Sequence, residues 1–266
     1  MATTFPIEEI KAGCEHCGTK LPFEISFAFQ PIVNLRRQSI FGYEALVRGV
    51  NGEGAPTILS QVNDQNRYVF DQTCRVKAIQ LASELKLDKM LSINFLPNAV
   101  YQPEHCIQST LRAAECYQFP VENIMFEITE SEQVVDAKHL TRIFNYYQSK
   151  GFVTAIDDFG AGYAGLNLLT QFIPNIMKLD MELVRDVDKS EVKQIINRNL
   201  ISTCNQLKIT VLAEGIETLE EAQFFKDLGV YLMQGYYFAK PGFEHLPEVP
   251  KELYEPILDN RFRSGY

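Results

Sequence analysis

The sequence predicts an α/β chain that closes as a modified (β/α)8 barrel of the TIM type, with an antiparallel strand pair at its start. Three observations carry this. Short runs rich in β-branched and apolar residues alternate with helix-period segments, which implies a parallel sheet with helices outside it. The 266 residues contain no Pro/Gly/Ser-rich linker through the middle, and such a barrel needs about 250 residues. Finally, Glu44, Asn94, Glu127, Asp157, Asp158, Lys178, Glu214 and Gln234 each fall at or just past the C-terminal end of a predicted strand. In a barrel those ends converge on one mouth, whereas an open sheet would string them along an edge.

Residues 1–22 read as a polar N-terminal extension, 23–247 as the barrel and 248–266 as a C-terminal tail. The extension holds Cys14-Glu15-His16-Cys17, which is half of a zinc site or a redox pair, with His105-Cys106 as conceivable completing ligands. Two free surface thiols is the plainer reading. Strands are expected over Ser26 to Val33 and Ile40 to Val47. The turn between them, Asn34 to Gln38, is too short for a parallel crossover, so the two should pair antiparallel. A long helical segment from about Thr57 to Leu85 leads to a strand at Leu91 to Phe95. Helical residues from about Glu104 to Tyr117 lead to a strand at Asn123 to Thr129.

Ala137, Leu140, Ile143, Phe144 and Tyr147 share one helical face, and Gly151 closes that helix. The run Val153-Thr154-Ala155-Ile156-Asp157-Asp158 is then a buried strand ending in two acids. Successive side chains of a strand point to opposite sides, so both acids can meet one ligand only where the strand turns; Gly160 and Gly162 are expected to supply that turn. A short helix around Leu166 to Phe172 precedes a strand at Asn175 to Leu179. Val192, Ile195, Ile196 and Leu200 mark the next helix. Ile209 to Ala213 is a strand running into Glu214-Gly215-Ile216-Glu217. Thr218 and Glu221 form a capping box for the helix that Gly229 ends, and Val230 to Met233 is the last strand.

Composition narrows the function. A formal charge of -9 disfavours a protein that grips nucleic acid duplexes by neutralising phosphates. No apolar run approaches the roughly 20 residues of a membrane helix. The N-terminus lacks the basic-then-apolar pattern of a signal peptide, so a cytoplasmic location is expected. Six cysteines without an export signal read as reduced thiols, with Cys74, Cys106, Cys116 and Cys204 as packing residues in helical segments.

Five carboxylates and an amide oxygen at one mouth raise one another's pKa and resist ionisation as bare anions. Hard divalent cations resolve this, and oxygen-only ligation selects Mg²⁺ or Mn²⁺ over zinc. The consecutive acids suggest two ions, with Asp157 between them and Asp158 beside one. Such a pair activates a water and stabilises a leaving oxygen, so the bond attacked is P–O. Lys178 could orient or help deprotonate the water, or serve as a structural ion pair. Glu214 could accept the proton, hold a metal-bound water, or cap the next helix.

Together these residues resemble the EAL-domain cyclic di-GMP phosphodiesterases. The resemblance runs from about Phe27 to Pro241, through Gln30-Pro31-Ile32, Glu44-Ala45-Leu46-Val47-Arg48, Asn94, Glu127-Ile128-Thr129-Glu130, Asp157-Asp158-Phe159-Gly160, Lys178-Leu179-Asp180, Ala213-Glu214-Gly215-Ile216-Glu217 and Gln234-Gly235-Tyr236. It implies hydrolysis of cyclic di-GMP to linear pGpG. Glu44, Asn94, Glu127, Asp157 and Asp158 would bind the metals, with Glu214 beside them. Lys178 and Glu214 would work on the water, with Glu44 part of the catalytic set. Gln30, Arg48 and Gln234 would contact the dinucleotide, and Glu130 would steady the loop after Asp158.

The family resemblance also suggests pairing of barrel faces as a homodimer. Departures from the family pattern are Ala161 for a common Thr, Ala164-Gly165 for a common Ser pair, and Phe95-Leu96-Pro97 after Asn94 where a small polar residue is usual. The alternative function is a catalytically weak receptor of the same fold that binds cyclic di-GMP or a protein partner. A dinucleotide fingerprint at Gly160-Ala161-Gly162-Tyr163-Ala164-Gly165 is rejected, because two acids immediately before the glycines would repel a pyrophosphate.

Overall fold

The computed structural model describes residues 21–129, 137–161 and 165–259. Strands β1 (Ser26–Asn34), β2 (Ser39–Arg48), β3 (Met90–Asn94), β4 (Ile124–Thr129), β5 (Val153–Phe159), β6 (Ile176–Leu179), β7 (Thr210–Ala213) and β8 (Leu232–Met233) close into a barrel, with β1 between β8 and β2. From β2 to β8 every neighbouring pair is parallel, while β1 is antiparallel to both of its neighbours. A ninth strand, β9 (Gly242–Phe243), which the sequence reading does not anticipate, pairs with β1 at Ala28 and Phe29.

Strand alternation organises the barrel interior. Ile32, Met125, Ala155, Ile176, Leu212 and Leu232 form a small apolar cluster of their own. Two residues further toward the mouth on the same strands stand Gln30, Glu127, Asp157, Lys178, Glu214 and Gln234. The period of two along a strand therefore stacks the polar layer directly on an apolar plug. The larger core lies between the strands and the surrounding helices.

The helical segment expected over Thr57 to Leu85 is two helices, Ala55–Leu59 and Arg67–Glu84. Between them Asn63 N–H donates to Asn66 Oδ1 at 2.8 Å and Asn66 Nδ2 donates to the Gln61 carbonyl at 2.9 Å. Asparagine side chains that bond nearby backbone compete with the helix ladder in this way. The helix Glu191–Gln206 forms as expected, but of the apolar row that marks it only Leu200 packs against the core, while Val192, Ile195 and Ile196 face outward. Val192 is 67% and Ile195 53% exposed, while Asn197, Ile201 and Cys204 are buried. The helix Leu219–Asp227 carries the expected capping box of Thr218 and Glu221. Part of the segment read as a tail is docked on the barrel: Tyr254 and Ile257 are buried, and the Pro256 carbonyl accepts from Gln223 Nε2 at 3.0 Å. Cys74, Cys106 and Cys204 are buried free thiols, whereas Cys116 is half-buried.

Candidate active site and metal centre

The centre of the mouth is Lys178. It is fully buried, and its Nζ lies 2.8 Å from Asp157 Oδ1, 2.9 Å from Glu214 Oε1, 3.0 Å from Glu127 Oε2 and 3.7 Å from Glu44 Oε2. Burial acts to lower its pKa, but Asp157, Glu127, Glu214 and Glu44 outweigh it and hold the ammonium well above its usual value. Each carboxylate comes from a different strand or strand end. Asn94, at the end of β3, donates from Nδ2 to Glu44 Oε1 at 3.0 Å. Gln234, just past β8, donates to Glu44 Oε2 at 2.8 Å and to Gln30 Oε1 at 3.2 Å.

Asp157 and Asp158 share one face because the strand turns there, and the turn starts at Asp158 itself, ahead of Gly160. The β5–β6 register breaks between Ile156 and Phe159, and Asp158 has a left-handed φ of 52°. This irregularity interrupts the alternation that would send consecutive side chains to opposite sides. Asp158 N–H donates to Asp157 Oδ1 at 2.9 Å. Gly160 follows at φ 105°, where a Cβ would lie 2.4 Å from Leu183 Cδ1. Gly162 lies outside the described residues.

Two sets of carboxylate oxygens converge, each within 4.8 Å: Glu44, Glu127 and Asp157, and Asp157, Asp158 and Glu214. Asp157 belongs to both. Burial lifts the Glu127 carboxyl to about 8 despite Lys178 beside it. Burial and then Asp157 lift Asp158 to about 6 and hold Glu214 well above the carboxylate range. Burial acts to raise Asp157 too, but Lys178 and hydrogen bonds from Glu214, Lys178 and the Asp158 backbone prevail and keep it below its ordinary value. Crowded oxygen donors that hold protons against their ordinary acidity fit hard divalent ions, which replace those protons.

The cleft above the cluster is lined by Gln30, Glu44, Asp157, Asp158, Glu214 and Gln234, together with Asp180, Met181, Arg185, Glu217 and Tyr236. Arg185 pairs with Glu217 at 2.7 Å across the rim. Sequence reasoning passes over Arg185; the available signal is its place in the loop after β6, which opens on the same mouth. Arg48 stands apart from this lining, with its guanidinium donating to its own Val47 carbonyl at 2.8 Å. Glu130 and the Cys14/Cys17 pair lie outside the described residues.

Fold and site define the class: a TIM-type barrel whose mouth carries a lysine-centred carboxylate cluster suited to divalent ions. The chain belongs to the EAL domain family, which matches residues 22–241. Among solved structures, it superposes on a standalone versatile EAL protein from Vibrio cholerae O395 in its c-di-GMP bound form. The TM-score is 0.85 at 58% identity, covering 88% of this chain and 99% of that one. It is 32% identical over 236 residues to the blue light- and temperature-regulated antirepressor BluF of Escherichia coli K12, covering 88% of this chain and 59% of BluF. It is 27% identical over 237 residues to the probable cyclic di-GMP phosphodiesterase PdeD of the same strain, covering 86% of this chain and 43% of PdeD. The chain thus spans 59% and 43% of the length of these two curated relatives.

Proposed function

We propose that the chain is a metal-dependent phosphodiesterase that hydrolyses cyclic di-GMP to linear pGpG. The observation that carries this reading is the double convergence of carboxylates on Asp157 around Lys178. Glu44, Asn94, Glu127, Asp157, Asp158 and Glu214 would hold two ions, Mg²⁺ or Mn²⁺. Bound there, such ions lower the pKa of a water and stabilise the leaving oxygen. Glu214, whose Oε1 lies 2.9 Å from Lys178 Nζ at the mouth, takes the water's proton. Lys178, held charged, orients the water and offsets the anionic mouth.

Gln30 and Gln234 meet the dinucleotide from the cleft wall. In support, Gln234 Oε1 is buried without a hydrogen-bond partner among the described residues. Arg48 joins them by leaving the Val47 carbonyl. Glu130 steadies the loop after Asp158. A homodimer belongs to the same reading, with the outward row Val192, Ile195 and Ile196 as its apolar contact. So does action in the cytoplasm; no helix among the described residues is long and apolar enough to cross a membrane.

The similarity to the antirepressor BluF favours one second reading, a receptor that binds the dinucleotide or a protein partner without useful turnover. The deciding experiment incubates purified protein and cyclic di-GMP with Mg²⁺ or Mn²⁺, beside Ca²⁺ and a Glu44→Ala variant. Linear product from wild type with the permissive metals alone is the expected result. Tight binding of intact dinucleotide without product would overturn the enzyme and leave the receptor.

A further inference from the structure

A second charged cluster lies outside the cleft, buried between the barrel wall and two helices. In the helix Arg67–Glu84, Asp71 and Arg75 form an ion pair of 2.8 Å with almost no solvent exposure. Arg75 Nη1 also donates to the Tyr147 hydroxyl at 2.8 Å, from the helix Ala137–Ser149. A buried ion pair adds little net stability compared with apolar residues of similar volume. Its retention in the core therefore asks for another reason, and its contacts supply one.

Asp71 Oδ1 accepts from the backbone N–H of Leu96 at 2.9 Å, two residues past Asn94. The Arg75 guanidinium lies 5.2 Å from the ring centre of Phe95 and 4.9 Å from that of Phe126. Phe95 follows Asn94 directly, and Phe126 precedes Glu127 directly. The two strand ends are themselves joined by the Phe95 N–H donating to the Glu127 carbonyl at 3.0 Å. One charged pair thus holds the backbone after Asn94 and the rings beside both Asn94 and Glu127. Phe95 thereby supplies a face on which Arg75 rests.

We propose that Asp71, Arg75 and Tyr147 are positioning residues that fix Asn94 and Glu127 for metal binding, acting through Phe95, Leu96 and Phe126. This rests on the reading of the mouth as a metal site. Outer partners of metal ligands change affinity about 10- to 100-fold when removed, and that is the effect to read.

Two variants test it. Tyr147→Phe removes only the hydroxyl. The double variant Asp71→Leu with Arg75→Met removes both charges together, so no orphaned charge remains to unfold the core. Mn²⁺ affinity is measured by electron paramagnetic resonance, exchange of the Leu96 amide by mass spectrometry, and kcat and KM on cyclic di-GMP. The expected result is faster Leu96 exchange, Mn²⁺ bound about tenfold more weakly in the double variant, and kcat reduced with KM little changed. Tyr147→Phe should move the same way by a smaller factor, and it decides the matter alone if the double variant does not fold. Wild-type Mn²⁺ affinity and kcat in a folded variant would overturn the proposal while leaving the phosphodiesterase reading intact. If the wild-type protein binds Mn²⁺ but does not turn over, the Mn²⁺ affinities of the variants decide by themselves. A wild type that binds no Mn²⁺ would sink both.

Discussion

Lys178 and Glu127 form a 3.0 Å ion pair in which neither side chain is exposed to solvent. Burial nevertheless pushes the Glu127 carboxyl up to about 8, with Glu44 and Asp157 adding to it against the pull of Lys178. One buried cation shared among four acids leaves the mouth short of positive charge.

Removing that cation sharpens the shortage. Lys178→Met should cost about 3 kcal/mol of stability in EDTA, and saturating Mn²⁺ should restore much of it by binding the native state alone. Hydrolysis should fall about 10²-fold or more even with metal present. Thermal melts with and without Mn²⁺, beside single-turnover kinetics, check both halves; a variant that hydrolyses at the wild-type rate would remove Lys178 from the chemistry.

The metal-free protein should lose stability as pH rises from 5 to 8. Glu127 is raised from 4.5 to about 8, Asp158 from 3.8 to about 6, and Glu214 well above 4.5. Across that window the native state holds protons that the unfolded chain has released, so stability present at low pH drains away through the raised pKa values. Asp157 is instead lowered from 3.8 and Lys178 is raised from 10.5, so both titrate outside the window. Melting temperatures in EDTA should therefore fall, and Mg²⁺ should flatten the slope. A melting temperature that climbs with pH in EDTA contradicts these assignments.

Asp158→Asn keeps a side chain that tolerates the left-handed φ of 52° but removes the charge. It should melt no lower than wild type and lose about 10²-fold in kcat. Asp158→Val, β-branched at that φ, should instead lose about 1–3 kcal/mol. Equal melting temperatures for the two would show that the backbone irregularity is not strained for ordinary side chains.

Glu221 reaches beyond its own helix. Its carboxylate accepts from Glu217 N–H at 2.8 Å, Thr218 N–H at 3.1 Å and, across to the loop after β6, Asp186 N–H at 2.8 Å. Glu221→Ala should cost about 1–3 kcal/mol and raise KM for the dinucleotide, because Arg185 and Glu217 line the cleft. Unchanged KM would confine Glu221 to capping.

If the row Val192, Ile195 and Ile196 joins two copies, Ile195→Lys should shift sedimentation from dimer to monomer without lowering the melting temperature by more than a few degrees. A wild-type monomer at high concentration would dismiss this face.

Much of the mouth was legible because strand alternation ties chemistry to packing. Met125 and Glu127, Ile176 and Lys178, and Leu212 and Glu214 each place an apolar residue and a polar one on the same side, two apart. Periodicity did not reveal orientation where apolar residues face outward, as with Val192 and Ile195 on their helix. Nor did it reveal Asp158 as the left-handed residue, since glycine is the default expectation there. Arg185 and the Asp71–Arg75 pair act through contacts far apart in sequence, such as Asp71 with Leu96, which no local pattern encodes.

The carboxylates, Asn94, Lys178 and Gln234 stand on or just past seven separate strands, β2 through β8, and Gln234 bonds Glu44 across the seam that β1 closes. No fragment of the chain owns the site, and a half-formed barrel presents at most a few scattered acids. If the mouth holds divalent ions, their full set of carboxylates is assembled only once β2, β4, β5 and β7 stand side by side. Tight ion uptake during refolding would then mark the final step of assembly, and a chain interrupted anywhere between β2 and β8 should forfeit the whole centre at once rather than part of it.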